Sequence, residues 1–109
     1  MMVTGSPGGP RIISTTLLTI LSVVDYAMDV KAAVSAPRFH HQWVPDILFV
    51  EPGIPEDVVE GLEQRGHRVE VGRRNWSAAE AIVIDPGTGV HFGGNDPRRD
   101  GFAKGYTRQ

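Results

Sequence analysis

The chain of 109 residues contains no cysteine, which excludes disulfide bonds, zinc sites built on cysteine and catalysis by a thiol. It also has no excess of one charge, because 11 basic residues stand against 13 acidic ones. Nothing in this balance favours a nucleic acid or an anionic membrane surface as a partner. With 40% hydrophobic and 22% charged residues, the composition is that of one small globular domain rather than of a disordered chain.

The sequence also lacks a hydrophobic run long enough to cross a membrane. The segment 12–24 (IISTTLLTILSVV) has 13 residues, whereas a spanning helix needs about 20. A turn rich in glycine and proline precedes it instead of a basic region, and no cleavage site of small residues follows, so the segment does not resemble a signal peptide. We therefore predict a buried helix here.

The local signals within this predicted helix, 11–26, conflict. Apolar side chains recur at helical spacing, and Pro10 favours a helix start, but many of the residues are β-branched and weaken helix propensity. No charged residue lies between Arg11 and Asp25, and a helix without a charged face is normally covered on several sides. We expect the rest of the chain to be too small to supply that cover. The predicted apolar face consists of Ile13, Leu17, Ile20, Leu21 and Val24.

Short elements separated by turns are predicted for the rest of the chain. They are a strand at 1–4 whose beginning is missing, a helix at 30–35 capped by Asp29, extended segments at 38–43 and 47–51, a helix at 55–64 with Gly66 as its C-terminal cap, a strand at 67–71, a loop at 72–80, a hairpin of 81–85 and 90–92, and a polar C-terminal tail at 93–109.

The sharpest local feature is VTGSPGGPR, a predicted strand, turn and helix with three glycines. Glycines let a backbone approach a ligand closely. Free N–H groups at a helix start suit a phosphate, a carboxylate or a developing oxyanion. The segment is neither a P-loop, since no lysine follows, nor a GxGxxG motif. An ordinary tight turn is the alternative.

Other candidates for a functional site are weaker. His40 and His41 are adjacent, so on a strand they point to opposite faces, and we predict no metal site. Ser14 has no evident base nearby in the sequence, which argues against a catalytic Ser–His pair. The charged segment 96–100 (DPRRD) is predicted to be a solvated tail with local ion pairs.

Two tryptophans, Trp43 and Trp76, could line a pocket. Packing in a core or an interface is the more common role of this side chain, since it buries a large apolar area. We predict packing for both.

Four segments carry a resemblance to a known family. They are TGSPGG, DY, APRFHHQW and DPR, and the similarity continues through PDILFVE and the closing NDPRRDGFAKGY. In this order and spacing they resemble the gamma-glutamyltransferases (gamma-glutamyltranspeptidases, glutathione hydrolases), over nearly the whole of 1–109.

The resemblance implies an α/β (α+β) fold, as the C-terminal portion of the αββα sandwich of the N-terminal-nucleophile hydrolases. The family is made as a precursor that cleaves itself before a threonine, whose new α-amino group is the base for its own hydroxyl. That nucleophile attacks the γ-glutamyl carbonyl of glutathione or a related donor, and the acyl group passes to an amino acid, a peptide or water.

Within the resemblance, Gly8 and Gly9 match the paired glycines whose N–H groups form the oxyanion hole. The nucleophilic threonine and the residues that grip the donor lie upstream of the matched stretch, so we expect no catalytic residue in this chain and no activity from it alone. The implied partners are the large subunit, the upstream part of the small subunit and a γ-glutamyl substrate such as glutathione. No cofactor or metal is implied.

Several questions stay open at this point. The chain could instead be a stand-alone, non-catalytic module that binds an anion or a partner through the same turn. The donor could be that of a cephalosporin-acylase-like relative, and the balance between transfer and hydrolysis is not indicated. Family members are commonly periplasmic, secreted or tethered to a membrane through the large subunit, so the compartment is not fixed.

Overall fold

The computed structural model describes residues 1–74 and 76–106. It confirms the predicted mixture of helices and strands, which form two small sheets with helices packed against them. The elements within the described residues are β1 (Met2–Gly5), α1 (Arg11–Val24), α2 (Val30–Ser35), β2 (Phe39–His40), β3 (Leu48–Val50), α3 (Glu56–Gln64), β4 (Val69–Val71), β5 (Glu80–Ile84) and β6 (His91–Asn95).

The first sheet has the antiparallel order β1-β5-β6, with Val3 opposite Ile82. Helix α2 packs against β5 and β6 and begins as predicted at Asp29, whose side chain accepts a hydrogen bond from the Ala32 N–H at 2.9 Å. The small core between helix and sheet consists of Val30, Val34, Ala79 and Ala81. This sheet holds β1 in place, and β1 leads directly into the glycine turn at 5–10.

Strand β6 is longer than predicted. We expected the strand to end at Phe92 and a polar tail to begin at Gly93, but residues 93–95 pair with β5. The glycines serve close packing here rather than a turn. An ideal Cβ at Gly94 would lie 2.9 Å from the Val30 carbonyl oxygen of α2, a contact that real Cβ atoms essentially never make.

We predict that Gly94→Ala destabilises the protein by about 1–3 kcal/mol, the usual cost of forcing extra volume into a packed contact. The midpoint of urea unfolding measures this change. Gly72→Ala is the matched control, because a Cβ there meets nothing within 4 Å. Equal stability of the two variants would contradict the close approach of α2 and β6.

The second sheet has the order β2-β3-β4, antiparallel between β2 and β3 and parallel between β3 and β4. Helix α3 connects the two parallel strands. Glu56 and Asp57 lie in its first turn, where negative charge is favourable. Gly66 follows its end with φ +94°, as the predicted C-terminal cap requires.

Helix α1 forms as predicted but ends at Val24, and its apolar face is not buried. Within the helix only Thr15 and Thr19 are buried, and Thr19 Oγ1 satisfies its hydrogen bond by donating to the Thr15 carbonyl at 2.8 Å. Ile13, Leu17 and Val24 are 75%, 52% and 68% exposed. The radius of gyration is 15.6 Å, above the value of about 13 Å expected for a compact domain of this size. The described residues therefore leave α1 without the cover that its composition calls for.

Candidate functional site

The glycine turn between β1 and α1 requires its two central glycines for different reasons. Gly8 has φ +123° and Gly9 has φ +60°, both in the region that L side chains avoid. A Cβ at Gly8 would collide with Ser77 Oγ, whereas a Cβ at Gly9 meets nothing within 4 Å. Gly8 is thus fixed by both space and backbone conformation, and Gly9 by conformation alone.

The hydrogen bonds of this turn leave its N–H groups available. The N–H groups of Arg11 and Ile12 donate to the Gly8 and Gly9 carbonyls at 3.4 and 3.1 Å, so these carbonyls belong to the start of α1. The Gly8 and Gly9 N–H groups have no acceptor among residues 1–74 and 76–106. Two free donors therefore lie at the positive end of a helix, an arrangement that stabilises negative charge.

A cavity of about 450 Å³ lies beside the turn, within the range of about 300–1,000 Å³ typical of ligand sites. Gly8, Arg11, Trp76, Ser77 and Arg99 are among the residues that line it. Two of these side chains are basic, and among residues 1–74 and 76–106 no acidic side chain contributes to the lining. The cavity is therefore suited to an anionic group.

The Arg11 guanidinium contacts two aromatic rings. Its central carbon lies 4.9 Å from the Phe49 ring centroid and 4.4 Å from that of Trp76, close enough for cation–π attraction. Trp76 is fixed in turn, because its Nε1–H donates to the Gly72 carbonyl at 2.7 Å. Burial lowers the pKa of Arg11, and the negative charge of Glu51 opposes that shift.

The packing prediction holds for Trp76 and is wrong for Trp43, which is 82% exposed.

The structure corrects the prediction that Ser14 has no base nearby. Ser14 Oγ lies 2.7 Å from His40 Nδ1, and His40 Nε2 lies 2.9 Å from Gln42 Oε1. Because Gln42 Nε2 donates to the Val44 carbonyl at 3.0 Å, its Oε1 faces the histidine and accepts from Nε2–H. Nδ1 is then the acceptor of the Ser14 proton.

This serine–histidine pair links elements rather than facing the cavity. Neither Ser14 nor His40 lines the cavity, but the His40 ring stacks on Phe49 with centroids 6.5 Å apart. The chain of hydrogen bonds therefore ties α1 to β2 and holds in place the ring on which Arg11 rests.

The segment 96–100 is only partly the solvated tail with local ion pairs that we predicted, because Asp96 lies inside the fold while residues 97, 99 and 100 are exposed. Asp96 is fully buried, and its two carboxylate oxygens pair with Arg38 at 2.7 Å and Arg98 at 2.9 Å. Asp96 also accepts the Ala79 N–H at 2.7 Å. The sequence-based expectation was wrong for Asp96 because Arg38 and the Ala79 N–H come from two other parts of the fold, whereas Arg98 lies in the same segment and forms the local ion pair that was predicted.

Arg98 extends the network to α2 and β3. It donates through Nε to Glu51 Oε2 at 2.9 Å and through its terminal nitrogens to the Val34 and Ala36 carbonyls at 2.9 and 2.8 Å. Burial alone would raise the pKa of Asp96, but the hydrogen bonds from Arg98, Ala79 and Arg38 outweigh it and hold that pKa below its usual value. The network therefore favours the ionised carboxylate.

Among residues 1–74 and 76–106, His, Asp and Glu side chains do not gather in a group of three or more that could hold a metal ion. None of the helices in these ranges is long and apolar enough to span a membrane.

Solved structures define the fold class. A Helicobacter pylori gamma-glutamyltranspeptidase has a TM-score of 0.84 and 44% identity, over 90% of this chain and 54% of that one. A cephalosporin acylase from Bacillus halodurans has a TM-score of 0.90 and 28% identity, over 97% and 20%. The predicted fold, a portion of an N-terminal-nucleophile hydrolase, is thereby confirmed.

Sequence comparison then identifies the family. The glutathione hydrolase proenzyme of Escherichia coli (strain K12) is 42% identical over 106 residues, which are 96% of this chain but 18% of the E. coli protein. That of Bacillus subtilis (strain 168) is 36% identical over 105 residues, again 96% and 18%. The family profile described as Gamma-glutamyltranspeptidase matches residues 1–106. The chain belongs to this family and spans less than a fifth of the length of these two relatives.

Proposed function

We propose that this chain is the C-terminal part of the small subunit of a γ-glutamyltransferase, or glutathione hydrolase, and that it supplies the oxyanion hole. One observation carries the proposal. Gly8 and Gly9 both have positive φ at the start of α1, and their N–H groups have no acceptor within the described part of the chain. Such preorganised donors stabilise the charge that develops when an acyl carbon is attacked.

In the proposed reaction the nucleophile is a threonine supplied by an upstream segment. Its hydroxyl oxygen bonds to the γ-glutamyl carbonyl carbon while its proton passes to the α-amino group of the same threonine. The carbonyl oxygen becomes anionic and accepts hydrogen bonds from Gly8 and Gly9. The C–N bond then breaks, and the amine leaves with the proton. An amino acid, a peptide or water attacks the resulting ester and releases the γ-glutamyl group.

The exposed apolar face of α1 is evidence that this chain packs against a large partner. Ile13, Leu17 and Val24 present apolar side chains to solvent, and contiguous apolar surface of this kind usually marks an interface. The E. coli relative has more than four fifths of its length outside the matched part, since the match covers 18% of it. We propose that the segments upstream of the match in the family cover α1.

The proposal predicts that the purified chain alone does not hydrolyse a γ-glutamyl anilide, because an oxyanion hole stabilises charge that only a nucleophile can create. Co-expression or fusion with the upstream segments of a family member should restore turnover. The release of the aniline, followed by absorbance, measures both. Turnover of about 1 per second or more by the chain alone would contradict the proposal, as would an assembled and self-cleaved protein that remains inactive.

A second function, a non-catalytic module that binds an anion, has support from Arg11 and Ser77. Each has one buried side-chain atom, Nη1 of Arg11 and Oγ of Ser77, that has no hydrogen-bond partner within residues 1–74 and 76–106. The two functions predict different folding behaviour for the isolated chain. The module requires a monomeric chain that unfolds cooperatively by itself, whereas the enzyme part requires its partners to cover α1.

A further inference from the structure

We propose that Ser77 is a positioning residue for the glycine turn, and that its side chain sets the direction in which the Gly8 N–H points. The inference rests on the proposed function, because it concerns the same oxyanion hole. It goes beyond that function by assigning a role in turnover to a side chain that does not touch the substrate.

An oxyanion donor cannot be held in place by its own hydrogen bond, because it must stay free for the substrate. The Gly8 N–H has no acceptor within residues 1–74 and 76–106, and the hydrogen bond that its carbonyl accepts from the Arg11 N–H is long, at 3.4 Å. Other atoms must therefore fix the Gly8 backbone. This matters for catalysis, since such donors act by being preorganised and misplacement by about 1 Å can cost about 10² in rate.

The Ser77 side chain fills the space beside Gly8 in which any other residue would place its Cβ. An ideal Cβ at Gly8 would collide with Ser77 Oγ and would lie 3.2 Å from Ser77 Cβ. Ser77 is 1% exposed, and its Oγ has no hydrogen-bond partner in the described part of the chain. Because buried polar atoms are nearly always paired, this hydroxyl needs another explanation. Its contact with the Gly8 backbone supplies one.

The backbone that carries Ser77 is itself fixed by the buried ion pair of Arg38 and Asp96. Arg38 donates from Nη1 to the Ser77 carbonyl at 2.8 Å, and Asp96 accepts the Ala79 N–H at 2.7 Å. The next residue begins β5, whose pairing with β1 reaches the first residue of the glycine turn. The segment 77–79 therefore forms a rigid support, from which the Ser77 side chain contacts Gly8.

The test compares Ser77→Ala with the parent in the enzyme assembled from this chain and its upstream segments, with a γ-glutamyl anilide as donor. The substitution removes one buried atom and leaves space into which the Gly8 backbone can move. We expect kcat to fall about tenfold or more, a part of the 10²–10³ that loss of a whole oxyanion donor costs. KM should change by less than about twofold, because the donor acts mainly on the charge of the transition state.

The stability of Ser77→Ala separates positioning from a purely structural role. Since the variant loses a buried hydroxyl that has no partner in the described residues, its midpoint of urea unfolding should equal or exceed that of the parent. A structural residue would give the opposite combination. A lowered midpoint with kcat within about twofold of the parent would overturn the inference.

Ser35→Ala is the matched control. The Ser35 hydroxyl donates to the Lys31 carbonyl at 2.6 Å, within α2, so the same chemical change is made away from the glycine turn. We expect this variant to keep the kcat of the parent. An equal loss of kcat in Ser35→Ala and Ser77→Ala would contradict a specific role of Ser77.

A double variant shows whether Ser77 acts through the Gly8 N–H. An ester at position 8, with glycolic acid in place of Gly8, deletes that N–H and should by itself lower kcat by about 10²–10³. In this background Ser77→Ala should cost less than about twofold more, since no donor is left to misplace. A loss of tenfold in both backgrounds would overturn the inference.

The same variants separate this inference from the proposed function, provided that mass spectrometry shows self-cleavage in each. If the ester at position 8 keeps kcat within about threefold of the parent, the oxyanion hole itself is wrong. If the ester lowers kcat as expected but Ser77→Ala stays within about twofold of the parent, the oxyanion hole stands and the role of Ser77 is refuted.

Discussion

Replacement of the Gly9 amide by an ester, with glycolic acid at position 9, is expected to lower kcat of the assembled enzyme by about 10²–10³, the effect of removing one oxyanion donor. The ester deletes the N–H and keeps the backbone free to adopt φ +60°. Proline at this position is not an equivalent test, because its ring fixes φ near −65° and would change the backbone conformation of the turn. The chain can be prepared by ligation of a synthetic N-terminal peptide, and kcat is measured with a γ-glutamyl anilide.

Gly9→Ala is the matched comparison for the ester. It keeps the N–H, and its Cβ meets nothing within 4 Å, so it should cost only the strain of a left-handed alanine, about 1–2 kcal/mol. We expect Gly9→Ala to lose less kcat than the ester. Mass spectrometry must show that self-cleavage has occurred in both. If the matured, folded ester variant kept kcat within about threefold of the parent, the glycine pair would form only a turn and not an oxyanion hole.

Asp96→Ala is expected to lower the free energy of unfolding by about 3–5 kcal/mol, the usual cost of breaking a buried ion pair by removing one partner. The substitution leaves the Arg38 guanidinium buried without its carboxylate, which lies at 2.7 Å in the parent. It also removes the acceptor of the Ala79 N–H.

Asp100→Ala is the control, since Asp100 lies in the same charged segment and is exposed. Its effect should stay within about 0.5 kcal/mol, as for most surface substitutions. Urea unfolding of the assembled protein measures both variants. A loss below about 1 kcal/mol for Asp96→Ala would show that the network contributes little to stability.

The same network gives stability a dependence on pH. Because the pKa of Asp96 is lower in the folded protein than its ordinary value, the ionised carboxylate stabilises the fold above the unfolded pKa of about 3.9. That contribution is lost as the pH falls below this value toward the folded pKa. Asp96→Ala should remove this component of acid destabilisation, and unfolding curves recorded across the acid range would detect its loss.

Features that depend on neighbouring residues in the chain could be predicted from the sequence. The start of α1 after Pro10, the N-terminal cap of α2 by Asp29 and the C-terminal cap of α3 at Gly66 each follow from the chemistry of a few adjacent residues. The glycine turn was identified in the same way. The structure agrees with each of these predictions.

Features that depend on distant residues could not be predicted. The Ser14–His40 hydrogen bond joins residues 26 positions apart, and Arg98 reaches Glu51 across 47 positions. The charged segment 96–100 looks polar by composition, and nothing local shows that Asp96 is buried. In α1 the apolar spacing predicted a face correctly, but burial depends on what covers it, and the described residues bury Thr15 and Thr19 instead.

A crystal structure can show whether Gly8 and Gly9 form the oxyanion hole of a γ-glutamyl-transferring enzyme. The assembled enzyme would be crystallised with a boronic acid analogue of the γ-glutamyl group, whose boronate oxygen stands for the oxyanion. We expect this oxygen to lie about 2.7–3.1 Å from the backbone nitrogens of both Gly8 and Gly9. A boronate bound with its oxygen beyond about 3.6 Å from both nitrogens, too far for a hydrogen bond, would contradict it.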